Sequence, residues 1–330
     1  MKRPPETPDG ETPMGRIGLV FPGQGSQHPG MVQELYRDHQ SVRDLFVEAG
    51  DLLGRDMVSL CFKGPQELLD LTVNTQIAVL TAGIAAWRVF SEQVAAKPFV
   101  MAGHSLGEYT ALHAAGAVGL HDVLSLVHRR AEFHQEAVPV GKGAMAAIVG
   151  LPREEVETLC LACEREGQAV AVSVENAPGQ IVVSGNTEAV SEVIAAAEIR
   201  EGARAVLLPI SVPCHCRLLD GAAGRLADAL SHIEFRNGVI PVIPNCDPSI
   251  LHSRERTRDL LIRQIISPVR WRETIERMAV MGVDTIVEIG PKRILSGLIR
   301  RIDRRIRLLN VEDEASLKKT VAALNAGTGE

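Results

Sequence analysis

The chain of 330 residues has no run approaching the roughly 20 consecutive apolar residues that a bilayer-spanning helix needs. Its first fifteen residues, rich in Pro, Glu, Thr and Gly, lack the apolar stretch of a secretory signal. They read as a disordered leader, with Met14 an alternative start. Basic charge is in deficit: 35 Lys and Arg against 41 Asp and Glu leave a net charge of −6, which argues against a general nucleic-acid binder. An acidic partner must therefore meet a local basic patch. Without a secretion signal, the six cysteines read as reduced thiols of a cytoplasmic protein. Cys160-x-x-Cys163 has no second pair to complete a zinc site. With Val156 and Leu159 it follows an apolar helical pattern, so both read as core thiols. Cys214-His215-Cys216 has a metal-like composition, but neighbours on an extended segment point to opposite sides and share an ion awkwardly. No metal is expected, and no internal repeat or low-complexity tract is visible.

What is present is a chain 45% apolar, long enough for one large core or for a core with an inserted unit. Arg16–Phe21 reads as a buried strand running into a turn-rich loop, Pro22 to Gln27. Helical patterns follow over Met31–Ala49, Pro65–Leu71 and Thr75–Gln93, then a strand over Pro98–Ala102, a helix over Glu108–Ala117 and another from Asp122 to about Val138. This alternation is the signature of an α/β fold with a parallel sheet. Near Gly141 the pattern changes. Gly143–Val149, Val170–Val174, Gln180–Ser184 and Ala203–Leu208 read as strands, with helices over Pro152–Gly167 and Thr187–Ile199. Strand–helix–strand–strand–helix–strand is the ferredoxin-like order. The chain is thus expected to divide into a large α/β domain, 16–140 with 212–330, and an inserted ferredoxin-like subdomain, 141–211. Helices over Leu218–Leu230 and Thr257–Ile266, a strand over Val283–Ile289 and a helix after Pro291 complete the large domain.

The chemistry centres on Gly103-His104-Ser105-Leu106-Gly107, a G-x-S-x-G segment between a predicted strand and a predicted helix. In that setting a serine hydroxyl stands exposed on a tight turn, so Ser105 is a candidate nucleophile. It needs a base. His215 follows an apolar strand, read over Val206–Val212, and a proline, at a predicted strand end. The third member stays open: no acid between Ser105 and His215 has a distinguishing context, and a main-chain carbonyl would orient the imidazole equally well. The N–H of Leu106, next to the nucleophile, is a candidate oxyanion donor, and the glycine-rich loop around Gln24 is a candidate source of the second. On the helix from Asp122, Arg130 falls near the centre of the apolar stripe of Val123, Leu126, Val127, Phe133 and Ala137. An inward arginine must find an anion, either an internal acid or a substrate carboxylate.

These residues, in order, resemble the malonyl-CoA:acyl carrier protein transacylase family and the related acyltransferases of polyketide synthases. The landmarks run from Arg16 to Val311: FPGQGSQ at Phe21–Gln27, GHSLGE at Gly103–Glu108, GAMAAI at Gly143–Ile148, NAPGQIVVSG at Asn176–Gly185, SVPCHC at Ser211–Cys216, RQIISPVRW at Arg263–Trp271 and EIGP at Glu288–Pro291. The resemblance implies a hydrolase-like α/β domain with a ferredoxin-like insertion, and a ping-pong transfer of malonyl from CoA to the phosphopantetheine thiol of an acyl carrier protein. It implies an acyl ester on Ser105, His215 as base, Gln24 and Leu106 as oxyanion donors, Arg130 on the malonyl carboxylate, and the main-chain carbonyl of Gln264 orienting His215. It also puts His104 and Asn176 in the acyl pocket, with the CoA thioester as substrate and no tightly bound cofactor.

The chain departs from the family pattern at Cys214, where serine or phenylalanine is common, at His134 for methionine, at Ser267 for asparagine and at Lys292 for glycine. Cys214 and His134 are pocket candidates that bear on the acyl α-substituent. Basic residues after Pro291, from Lys292 and Arg293 through Arg300, Arg301, Arg304 and Arg305 to Arg307, read as one helix and as a docking face for an acidic carrier. A monomer is expected. A thioester hydrolase on the same scaffold is the alternative, and a non-catalytic interaction subunit a third reading; Arg130 favours transfer of a carboxyacyl group over hydrolysis, and the intact Ser105, His215 and Gln264 argue against the non-catalytic reading.

Overall fold

The structure is a computed structural model that describes residues 15–139, 141–210 and 212–325. The leader expected over 1–15 lies outside them except for Gly15, and so does Ser211 at the expected domain boundary.

Among the described residues, nine strands form two sheets: β1 (Arg16–Phe21), β2 (Val100–Gly103), β3 (Gly143–Val149), β4 (Val170–Ala177), β5 (Gln180–Asn186), β6 (Arg204–Leu207), β7 (Val242–Ile243), β8 (Val283–Ile289) and β9 (Arg307–Val311). The first sheet runs β7-β2-β1-β8-β9, all parallel. Its central strands are covered on both faces, which is why RIGLVF and VDTIVEI read as near-continuous apolar runs rather than alternating ones. The 22-residue helix Thr72–Gln93 is likewise enclosed almost all round, packed between helices Gln40–Leu53 and Leu120–Ala137.

Pairing register brings the chemistry together. Phe21 pairs with Gly103 and Ala102 with Ile243, so β1, β2 and β7 end at one level. The three segments that follow them, beginning at Pro22, His104 and Pro244, lie side by side at the carboxyl edge. That edge is where open α/β sheets hold their ligands.

The second sheet, β4-β5-β3-β6, is antiparallel in the ferredoxin-like order. The period of two on β3 sends Ala144, Ala146 and Ile148 under helices Arg153–Cys163 and Thr187–Glu198, where they meet Val156, Leu159, Val190 and Val193. Met145 points the other way and joins Val174, Val182 and Trp271 in a cluster shared with the parallel sheet. Backbone bonds from Glu175 N–H to Val269 O, and from Val269 N–H to Ser173 O, both 2.9 Å, stitch β4 to the segment before helix Trp271–Val280.

Several expectations change. The helix expected over Met31–Ala49 is two, Gln33–Asp38 and Gln40–Leu53, because His39 between them is extended. The helix after the serine stops at Ala114, ahead of Gly116 at φ 76°, and the CxxC helix stops at Cys163. The strand expected over Val206–Val212 stops early: β6 ends at Leu207 and is largely exposed. The basic residues after Pro291 do not share one helix. It spans Ile294–Ile302 and holds Arg300 and Arg301, while Arg307 starts β9. Five elements have no counterpart in the sequence reading: helix Met57–Phe62, β7, helix Trp271–Val280, β9 and helix Glu314–Asn325. Among the described residues no helix is long and apolar enough to cross a membrane, and all six cysteines are free thiols.

Candidate active site

Ser105 sits between β2 and helix Gly107–Ala114 with φ 51°, in the left-handed region that non-glycine residues seldom occupy. The flanking glycines make the turn possible. A Cβ on Gly103 would collide with the Gly107 carbonyl, and one on Gly107 would collide with the Phe21 carbonyl of β1. The chain therefore folds back on itself against the central strand, leaving Ser105 partly exposed at the tip. The loop after β1 presses on the same turn: a Cβ on Gly23 would strike His104 O and stand 3.6 Å from Leu106 N. Ser26 Oγ donates to Gly23 O at 2.8 Å and Gly25 N–H to Gln27 Oε1 at 2.7 Å, fixing the loop that carries Gln24.

His215 also has positive φ, 62°, so the Cys-His-Cys segment is not the extended stretch the sequence suggested. Its Nε2 lies 2.7 Å from Ser105 Oγ and its Nδ1 2.7 Å from Gln264 O. A carbonyl oxygen only accepts, so Nδ1 carries the hydrogen and Nε2 faces the serine as an acceptor. Burial, reinforced by the nearby Arg130 charge, lowers the imidazole pKa to about 3, against the opposing pull of the Gln264 bond.

Arg130 is 2% exposed. Its Nη1 donates to Gln76 Oε1 at 2.5 Å, and its Nη2 lies 3.3 Å from both Ser105 Oγ and Gln264 Oε1. The guanidinium sits 5.2 Å from the Tyr109 ring centroid, and Nε has no partner. Among the described residues no carboxylate pairs with it; its neighbours are neutral amides, a hydroxyl and a ring. A buried cation without a counter-ion is costly, so the arrangement suits an anion that arrives with a ligand. His215 Nε2 and Arg130 Nη2 thus converge within hydrogen-bond reach of the Ser105 hydroxyl, and Gln264 bonds to both of those residues.

The acyl transferase domain family matches over residues 19–318. The malonyl CoA-acyl carrier protein transacylase of Escherichia coli strain K12 is 44% identical over 291 residues, 88% of this chain and 93% of that protein. Its counterpart from Coxiella burnetii superposes with a TM-score of 0.91 at 42% identity, covering 94% of this chain and 98% of the other. The chain belongs to the malonyl CoA-acyl carrier protein transacylase family. A malonyl-transacylase solved in complex with its type II PKS acyl-carrier protein superposes with a TM-score of 0.90 at 43% identity, covering 94% and 99% of the two chains.

Around this transacylase-family centre, a cavity of about 150 Å³ opens between the two sheets. Gln24, His104, Asn176 and His215 form its polar side, and Met145, Val174, Val182 and Ile210 its apolar side. His104 Nε2 lies 2.9 Å from Asn176 Oδ1, and its ring packs 5.4 Å from Trp271. Burial holds the His104 pKa below the usual imidazole range. Cys214 Sγ stands 3.8 Å from His134 Nδ1, one helical turn beyond Arg130. His134 is 1% exposed, its Nε2 has no partner, and burial together with Arg130 and His215 pushes its pKa well down. A neutral, polar ring therefore borders the arginine. A neighbouring cavity shares Gln24, His104 and Asn176 and is walled by Ile294, Leu295 and Leu298. The Glu288 carboxylate anchors that wall by accepting the N–H groups of Leu295 and Ser296 at 2.9 and 2.7 Å. Arg300 and Arg301 lie in the last turn of helix Ile294–Ile302, Arg304 follows in the turn after it, and Arg301 donates to Gln180 of the cavity lining at 2.6 Å.

Three residues near the serine escaped the sequence reading. Gln76 holds Arg130, Tyr109 lies under it, and Asn245 bonds to the Ser105 backbone. For Gln76 a sequence signal exists, a polar residue inside a helix apolar on every side. For Asn245 there is none beyond its place after β7.

Proposed function

We propose that the chain transfers a malonyl group from CoA to the phosphopantetheine thiol of an acyl carrier protein through an acyl ester on Ser105. The observation that carries this reading is Arg130, buried without an acid partner and 3.3 Å from Ser105 Oγ. A carboxylate bound there would hold its acyl carbon over the hydroxyl.

In this mechanism Ser105 Oγ attacks the thioester carbonyl as His215 Nε2 takes its proton. The N–H groups of Leu106 and Gln24 hold the oxyanion. Collapse breaks the C–S bond, and His215 returns the proton to the departing CoA sulfur. The carrier thiol then attacks the Ser105 ester, giving its proton to His215, which passes it to Ser105 Oγ as the C–O bond breaks. Gln264 O keeps the imidazole hydrogen on Nδ1 throughout. His104, Asn176, Cys214 and His134 line the acyl group. Residues 16–140 with 212–330 would form the catalytic domain, and 141–211 the inserted subdomain that closes the cavity. Arg300, Arg301 and Arg304, beside the cavity wall, would meet the acidic carrier.

Intact-protein mass spectrometry across acyl-CoA donors tests the reading. Ser105 is expected to acquire malonyl in preference to acetyl, and added carrier protein to remove it. Preferential labelling by acetyl-CoA would sink the Arg130 assignment, and loss of the acyl group to water at the same rate with or without carrier would mean a thioester hydrolase.

The lowered His215 pKa fixes a sign. The base works only when neutral, and a pKa of about 3 keeps it neutral down through pH 5. The kcat/KM for acylation is expected to stay level from pH 8 to pH 5. An unshifted imidazole near 6.5 would lose about 30-fold by pH 5. An acid limb with a midpoint near 6.5 in the free enzyme would contradict the assignment.

A further inference from the structure

Bonded to the serine turn, and outside the residues that line the cavity, is a buried polar chain that the transfer chemistry does not use. Asn245 is fully buried, two residues beyond β7, and every polar group it carries is engaged. Its Oδ1 accepts the Ser105 N–H at 2.6 Å, and its Nδ2 donates to Gly103 O at 2.6 Å. One side chain therefore bridges the two peptide groups that flank the turn. Its own N–H donates to Glu108 Oε2 at 2.7 Å, and its carbonyl accepts the Arg270 N–H at 3.0 Å. Glu108 is fully buried, and its Oε1 lies 2.9 Å from His252 Nε2. His252 Nδ1 lies 3.2 Å from Thr257 Oγ1, which donates to Ser253 O at 2.8 Å.

We propose that Asn245 is a positioning residue for Ser105, held in place by the Glu108–His252 pair, a role that rests on Ser105 being the nucleophile. The physical need is plain. A non-glycine residue at φ 51° is strained, and such strain persists only where the surroundings over-determine it. On one side of the turn, Gln264 Nε2 donates to Ser105 O at 3.0 Å. Asn245 supplies the other side and satisfies a part-buried N–H and a buried C=O that the turn leaves without ladder partners. It also settles which amides face the substrate: with its N–H committed to Asn245, Ser105 contributes none to an oxyanion site. The topology serves this placement. β7 is only two residues long, and pairing Ala102 with Ile243 sets Asn245 level with His104.

The test is pre-steady-state acylation by malonyl-CoA, followed by intact mass on protein shown to be folded by circular dichroism. In Asn245→Ala both bridges go, and kcat for acylation is expected to fall about 100-fold with KM within threefold, since the acyl pocket is untouched. Asn245→Asp is isosteric and guards against a variant that does not fold. Its carboxylate still accepts the Ser105 N–H but faces Gly103 O with no hydrogen, and kcat is expected to fall at least tenfold. Glu108→Gln keeps an acceptor for the Asn245 N–H but gives up the charge that faces His252, and is expected to lower kcat by less than Asn245→Asp does. Wild-type kcat in folded Asn245→Asp overturns the proposal, as does a loss carried by KM, or a Glu108→Gln loss as large as that of Asn245→Asp. If the parent protein itself takes no acyl group on Ser105, the transfer reading fails first, and the two failures are told apart.

Discussion

Ser105→Ala is expected to form no acyl-enzyme and to lower malonyl transfer by on the order of 10⁴-fold or more, with His215→Ala falling nearly as far. The reason is geometric. The hydroxyl donates to one acceptor, His215 Nε2 at 2.7 Å, and without that acceptor its proton has nowhere to go as the C–O bond forms. The two groups act as a unit, so the Ser105→Ala/His215→Ala double variant is expected to be no worse than the poorer single one. Single-turnover acylation and steady-state transfer, measured on all three, check this. Losses that multiply in the double variant would mean the two side chains act independently. A Ser105→Ala protein that still acquires malonyl would move the nucleophile elsewhere.

The second large effect is a change of preference rather than of rate alone. In Arg130→Ala, kcat/KM for malonyl-CoA is expected to fall about 10²- to 10³-fold, in line with the 2–5 kcal/mol typical of removing one partner from a buried charge pair. Acetyl-CoA, which has no carboxylate to place, is expected to lose little, so the ratio of the two donors inverts. Arg130→Lys is expected to recover only a small part, because an ammonium cannot hold Gln76 and Gln264 while presenting a planar fork to the ligand. Competition between the two donors for one enzyme sample, read as acyl masses on Ser105, gives the ratio directly. An unchanged ratio in Arg130→Ala would remove the carboxylate-binding role.

Both predictions concern residues that stand out in the sequence for physical reasons. A serine between glycines at a strand–helix junction is conspicuous because few residues tolerate such a turn. Arg130 is conspicuous because a charge in the middle of an apolar helical stripe violates the expected pattern. The split between a parallel and an antiparallel sheet is legible for a similar reason: a strand covered on both faces reads differently from one with a period of two, and β3 carries both neighbours in its alternation. Elements without periodicity stay hidden. β7 has two residues, too few for any pattern, yet it fixes where Asn245 lies. The segment before His215 reads as a strand because Val206–Val212 is apolar, but β6 is an edge strand that ends at Leu207. His39 breaks a helix through its backbone alone, with neither glycine nor proline to mark the place. Asn245 and Glu108 are polar and buried, and their importance lies in what they touch, which no local pattern records.

The neutrality of Arg130's holders has a wider consequence. Gln76 and Gln264 fix the guanidinium through amide oxygens, which orient it without cancelling its charge. An acid at either place would compete with every incoming carboxylate and would be a permanent inhibitor tethered to the fold. The empty enzyme therefore gives up folding stability that a glutamate would supply, and recovers it only when a ligand arrives. Selection for robustness and selection for turnover pull these two positions in opposite directions.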